Sequence, residues 1–363
     1  MKNRVTTLTR CASEGERSTA FSREEIRVSV RPRWRVGLVL MIAVGCAQPD
    51  GEPVTTTIDA VAADSQPAAA ASTREAPRPP LKAVPRPVSA IDRVMIISVD
   101  GLRPDLLLRA EMPRVRGLCK SGSFSFWAET APEAYTLPCH VSMLTGTPSE
   151  KHGVTWNDYI EESYPNVPTL FEVAKQGGFS TAMVSGKMKF IVLLKPNTID
   201  HYYLPPDEPV SDRQVAERAE TILHQHRPQV MFVHLPGVDT VGHEFGWGSP
   251  EQIAAIARAD DAVGLLLDAL ADLTLTDSTL VILTADHGGA GKGHEPNDPR
   301  SHFIPWIAAG PGLRQDFDLT RANLKTIRTE DTFATACTFL GIHPGEDVSG
   351  KPVLELLETD RPK

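Results

Sequence analysis

Val94-Met-Ile-Ile-Ser-Val99-Asp100-Gly101 is six residues without a charge, then a carboxylate and a glycine. Continuous rather than alternating apolarity marks a strand buried on both faces, as in a parallel sheet. Similar runs recur at 181–185, 230–235, 280–284 and 304–309, and helical stretches fall between them near 167–177, 211–226 and 250–271. This alternation predicts an α/β fold with a mostly parallel central sheet and helices on both faces. Ligands in such folds bind beyond the carboxyl ends of the strands. The polar residues just past each run are therefore the candidates for chemistry.

They are Asp100 after the first run, Asp239 and His243 after the third, and Asp286-His287-Gly288 after the fourth, with His294 close behind. Taken singly, an Asp after a strand is usually a turn former, and a lone His usually a surface or core residue. Three of each at one sheet edge are harder to dismiss. The offset of four between Asp239 and His243 lets both reach one point if the segment makes a helical turn. Oxygen and imidazole donors together suit zinc, with manganese or iron as alternatives. His302 competes with His294 as the last ligand.

Thr136-Leu-Pro-Cys-His140 reads as a helix start, with Thr136 as the cap, Pro138 in the first turn and Gly146 as the stop. That places a hydroxyl where free backbone N–H groups and the positive end of the helix dipole converge, a natural phosphate site. On its own Thr136 reads more simply as a helix cap, because a threonine needs activation before it can attack anything.

The chain has 363 residues, 41% hydrophobic and 23% charged, an ordinary globular balance. Residues 1–36 hold nine Lys/Arg against four Asp/Glu, a surplus of five, so the formal −9 of the whole chain leaves −14 for the rest. An acidic body argues against a nucleic-acid-binding surface. The five cysteines have no C-x-x-C spacing, which excludes a zinc ribbon but leaves a Cys119–Cys139 disulfide open. A basic flank at Arg31–Arg35, an apolar run from Val36 to Gly45 and small residues before Cys46 describe a secretory leader over 1–46. The small residues resemble a bacterial lipoprotein box, implying export to the cell envelope, periplasm or outer membrane, with a lipid on Cys46. Residues 47–90 are rich in Ala, Pro, Thr and Ser, a composition that cannot bury a core and predicts a disordered tether. The folded body is expected over 91–363.

The set Val99-Asp100-Gly101, Thr136-Leu-Pro-Cys-His140, Asp239-Thr-Val-Gly-His243, Asp286-His-Gly288 and His294 resembles the type I phosphodiesterase/nucleotide pyrophosphatase branch of the alkaline phosphatase superfamily. The likeness covers roughly 92–357 and makes that body a metallohydrolase domain. It implies two Zn2+ ions, one held by Asp239, His243 and His294, the other by Asp100, Asp286, His287 and the Thr136 oxygen. Thr136 would be the nucleophile on a phosphodiester or pyrophosphate, through a phosphothreonine. The likeness also prefers His294 over His302, and assigns Asn157 to the substrate phosphate. Leu137 and Cys139 depart from the pattern, where nucleotide-cleaving relatives have Phe and Asn. Phe245 and Trp247 could line a pocket, though packing is the simpler role. Phosphomonoesterase and phosphonate hydrolase share the ligand set. A sulfatase would need Cys or Ser at the nucleophile position, and a non-catalytic, metal-stabilised binding lipoprotein could do without Thr136.

Overall fold

The computed structural model describes residues 83–322 and 326–358. The leader, Cys46 and almost all of the tether lie outside the described residues. Packing begins earlier than expected, since Ala83 bridges Ile342 and Val84 N donates to Gly341 O.

The chain runs β1 (Arg93–Val99), α1 (Pro104–Arg109), α2 (Pro113–Ser121), β2 (Gly122–Glu129), α3 (Thr136–Thr145), α4 (Ser149–His152), α5 (Leu170–Gln176), β3 (Thr181–Ser185), β4 (His201–Tyr203), α6 (Asp212–His226), β5 (Val230–Leu235), α7 (Gly237–Phe245), α8 (Pro250–Asp272), β6 (Thr279–Thr284), β7 (Phe303–Ala309), β8 (Phe317–Asp318) and α9 (Asp331–Leu340). One sheet of eight strands runs in the order β4-β3-β5-β1-β6-β7-β2-β8. It is parallel except for β7, which lies antiparallel to both β6 and β2. The α/β class and mostly parallel sheet expected from the apolar runs are what the chain adopts.

β1 occupies the centre, and its six residues from Val94 to Val99 are buried. Register explains why the strand ends carry the site. Val99 pairs with Leu235 of β5, Ser98 with Thr284 of β6, and Ser185 of β3 with His234 of β5. Four strands therefore end level, and whatever follows each of them emerges on one rim.

α3 is buried along its whole length and packs on α4 and α9. It stops at Gly146, which adopts φ +68° and lies so close to Val348 and Phe333 that a Cβ would clash. Only glycine tolerates both demands. Tyr135, with extended backbone, is the N-cap residue and Thr136 is the first residue of the helix. The expected Thr136 cap is thus corrected by one position. The hydroxyl is left free of capping duty and faces the site.

Candidate active site

Asp100, Asp286 and His287 have no exposure and Thr136 almost none. His287 Nε2 lies 3.4 Å from Asp100 Oδ1, 3.3 Å from Asp286 Oδ2 and 3.4 Å from Thr136 Oγ. The helical turn expected for Asp239 and His243 is α7, with His243 Nε2 3.3 Å from Asp239 Oδ1. His294 Nε2 is 4.0 Å from the same oxygen, and its ring stacks on His287 at 3.9 Å between centroids. All seven of these residues converge. Gly101, at φ +73°, lets β1 turn directly under Asp239, whose Cα would stand 3.0 Å from any Cβ there.

The hydrogen bonds fix the orientation of each imidazole. His287 Nδ1 donates to Gly288 O at 2.8 Å, His294 Nδ1 to Ala134 O at 2.7 Å, and His243 Nδ1 to Lys292 O at 3.0 Å. A carbonyl only accepts, so Nδ1 carries the proton in each ring, and each Nε2 lone pair is turned into the site. Asp100 Oδ1, Asp239 Oδ1 and Asp286 Oδ2 are buried without hydrogen-bond partners, and these same oxygens face the Nε2 atoms. Acceptors gathered around acceptors repel one another, so the donor set fits divalent cations. Two triads have metal-holding geometry, Asp100–Asp286–His287 and Asp239–His287–His294. His287 is common to both, and His243 adjoins the second through Asp239.

The charges follow from this crowding. Burial, then the nearby Asp100 and Asp239, raise the Asp286 carboxyl well above its usual range. Burial also opposes the charge on Asp100, but Lys187, His234 and His287 outweigh it and hold that carboxyl low. His287 is pushed down to about 4, first by burial and then by His294, so its ring stays neutral near pH 7.

His302 Nε2 donates to Pro296 O at 2.6 Å, away from the cluster, so His294 is the histidine that converges. Asn157 Oδ1 accepts from Leu137 N at 2.9 Å and from Lys189 Nζ at 3.0 Å, which sets the amide beside the start of α3. One of the backbone N–H groups expected to meet a phosphate is therefore already engaged, while the Asn157 NH2 has no partner among the described residues. Leu137 and Cys139 are fully buried and offer nothing to a ligand. Cys119 and Cys139 are free thiols, so the disulfide is not formed. Trp247 is a packing residue, its indole N–H donating to Gly101 O at 2.9 Å, whereas Phe245 is exposed.

Two residues, Lys187 and His234, are absent from the sequence-based expectations, and a third, His140, enters them only as the end of Thr136-Leu-Pro-Cys-His140. Lys187 Nζ bridges Asp100 Oδ2 at 2.6 Å and Asp239 Oδ2 at 2.7 Å. His234 Nε2 lies 2.9 Å from Asp100 Oδ2. His140 donates Nδ1–H to Thr136 O at 2.7 Å and meets Ser98 Oγ at 2.8 Å, tying the first turn of α3 to β1. The strand-end rule applied to 181–185 would have flagged Lys187, two residues past Ser185. His234 lies inside an apolar run and gives no such signal.

A mostly parallel α/β sheet carries a threonine and two carboxylate–imidazole clusters on one rim, the architecture of a candidate metal site. The type I phosphodiesterase/nucleotide pyrophosphatase family model matches residues 94–292, and the chain belongs to that family. It is 27% identical over 217 residues to an uncharacterized pyrophosphatase/phosphodiesterase of Schizosaccharomyces pombe, covering 54% of this chain and 44% of that protein. It is 25% identical over 219 residues to the bis(5'-adenosyl)-triphosphatase enpp4 of Mus musculus, covering 56% and 48%. The chain thus spans about half the length of the curated relatives it matches. Murine ectonucleotide pyrophosphatase/phosphodiesterase 5 shares the fold, with a TM-score of 0.63 and 16% identity over 73% of this chain and 100% of that one.

Proposed function

We propose that the chain hydrolyses phosphoric esters, cleaving phosphodiester or pyrophosphate bonds through a phosphothreonine. The observation that carries this reading is the ring of three orphaned carboxylate oxygens and inward-facing imidazole nitrogens beside the Thr136 hydroxyl. Asp100, Asp286, His287 and Thr136 would hold one cation, and Asp239, His243 and His294 the other, with Zn2+ the metal best suited to such donors. Bound divalent cations would lower the pKa of a hydroxyl and offset charge on phosphoryl oxygens.

Thr136 Oγ, its proton passing to solvent, attacks phosphorus, the P–O bond to the leaving group breaks, the departing oxygen takes up a proton from water, and the phosphoryl group is carried on the threonine. Water then attacks the same phosphorus and releases Thr136, which regains its proton. His140 keeps the attacking residue in register with Asp100 by binding both the first turn of α3 and β1. The Asn157 amide is held through Oδ1 by Lys189 and Leu137 N, which would leave its NH2 to donate to a phosphoryl oxygen. His243 is about half exposed, which leaves the site open to extended esters.

The test is turnover of bis-p-nitrophenyl phosphate against mono-p-nitrophenyl phosphate by the full chain with added zinc. Preference for the diester supports the reading. Preference for the monoester reassigns the chain to the phosphomonoesterases, and turnover of neither sinks hydrolysis. Export and lipid anchoring on Cys46 are proposed from the basic, apolar and small-residue order before it. Metabolic labelling with a radioactive fatty acid checks this, and equal labelling of Cys46→Ser overturns it.

A further inference from the structure

Asp100 and Asp239 come from different elements, yet both turn Oδ2 toward one ammonium group. Lys187 Nζ lies 2.6 Å from Asp100 Oδ2 and 2.7 Å from Asp239 Oδ2. The remaining oxygen of each carboxylate, Oδ1, is the buried atom without a hydrogen-bond partner, and it faces the histidine nitrogens. The lysine and the imidazole cluster therefore use opposite oxygens of the same two side chains. An ammonium competing with metals for these carboxylates would sit on the oxygens that face the histidines.

The lysine is itself held in place. It lies two residues past the end of β3, its N–H donates to Ser185 Oγ at 3.2 Å, and the Ser185 hydroxyl also meets Lys187 O at 3.2 Å. Ser185 Oγ lies 3.2 Å from His234 Nδ1, and His234 Nε2 reaches Asp100 Oδ2 at 2.9 Å. Ser185, His234, Asp100 and Lys187 thus form a closed circuit across β3, β5 and β1, from which Lys187 extends to Asp239.

We propose that Lys187 is a positioning residue that clamps Asp100 and Asp239 by Oδ2, so that each presents Oδ1 alone to its cation. The inference rests on the two-cation reading of the site. The clamp is lopsided. Asp100 Oδ2 has two donors, Lys187 and His234, whereas Asp239 Oδ2 has Lys187 alone among the described residues. Loss of the lysine therefore frees Asp239 to rotate while His234 still restrains Asp100.

The test is zinc binding to the chelator-stripped full chain, followed by titration calorimetry against a competing chelator. Wild type takes up two equivalents. In Lys187→Met the equivalent that Asp239 would hold loses roughly 10–100-fold in affinity, the usual cost of removing a partner that orients a ligand, and the other loses less than tenfold. Lys187→Arg, which keeps charge and paired donors, recovers most of the loss. If Lys187→Met does not fold by circular dichroism, Lys187→Gln carries the same expectation. Cobalt substitution reports geometry independently, and the visible band of one site alone shifts in the variant. Two zinc ions bound as tightly as in wild type, or more tightly, overturn the clamp and leave the two-cation reading standing. A wild-type chain that takes up no zinc overturns both.

Discussion

The two halves of the candidate site are built differently. Asp100 and Asp286–His287 extend directly from β1 and β6, and Thr136 opens a fully buried helix, so this half is closed to solvent. Asp239, His243 and His294 lie on α7 and on the loop beyond β6, and the His243 side chain is 45% exposed. Ligands at strand ends inherit the stiffness of the sheet. Ligands one helix turn or one loop further out inherit the mobility of their supports. On the proposed reading, bond making at Thr136 would fall in the closed half, and entry and departure of the ester in the open half.

The largest expected effect tests the closed half. Thr136→Ala should reduce turnover of bis-p-nitrophenyl phosphate by roughly a thousandfold or more, with zinc by atomic absorption largely retained through the remaining three ligands of that cation. Retained turnover would move bond making elsewhere.

Ligand substitutions sharpen the contrast. His287 would hold the cation of the closed half and its ring stacks on His294 of the open half, so His287→Ala should empty the first position and weaken the second, whereas His243→Ala should lose one equivalent of zinc and keep its fold. Equal losses in the two variants would erase the distinction.

Removing metal comes next. With zinc at a hundredfold over the dissociation constant of each of two sites, chelation should cost about 5 kcal/mol of unfolding free energy, about 2.7 kcal/mol per site. Release followed with a chromogenic chelator should show two phases, the open half first.

The smallest effect concerns what supports α7. Asp212 is buried at the start of α6 and accepts from Gly237 N at 2.7 Å, and burial raises its carboxyl to about 6. An unfolded chain titrates this group near 3.9. Between those values the folded chain keeps a proton that the unfolded chain has lost, so this stabilisation is full below about pH 4 and disappears as pH rises through about 6. Urea melts with chelator present should show about 2–3 kcal/mol of this dependence in wild type, and a flatter profile in Asp212→Asn.

Much of this was legible in the chain. Apolar runs located β1, β3, β5, β6 and β7 because strands buried on both faces need uninterrupted hydrophobicity, and that requirement is local. The strands that were missed had weak local signals. β4 and β8 have three and two residues, and β2 alternates Ser with Phe at the sheet's margin. The candidate metal ligands were legible because carboxylates and histidines cluster beyond the carboxyl ends of strands.

Composition and order determined the α/β class, the polar rim and the identity of Asp100, Asp239, Asp286, His243, His287 and His294 as its members. Only the tertiary structure decided that β3 lies beside β5 and β5 beside β1, which brings Lys187 to two carboxylates far from it in the chain. The structure also decided which carboxylate oxygens are left without a donor, that Leu137 and Cys139 face the core, and that His302 turns away. The reason is physical. Burial and spacing along a strand are properties of neighbouring residues, whereas strand order and the direction of a hydrogen bond depend on which distant segments share a boundary.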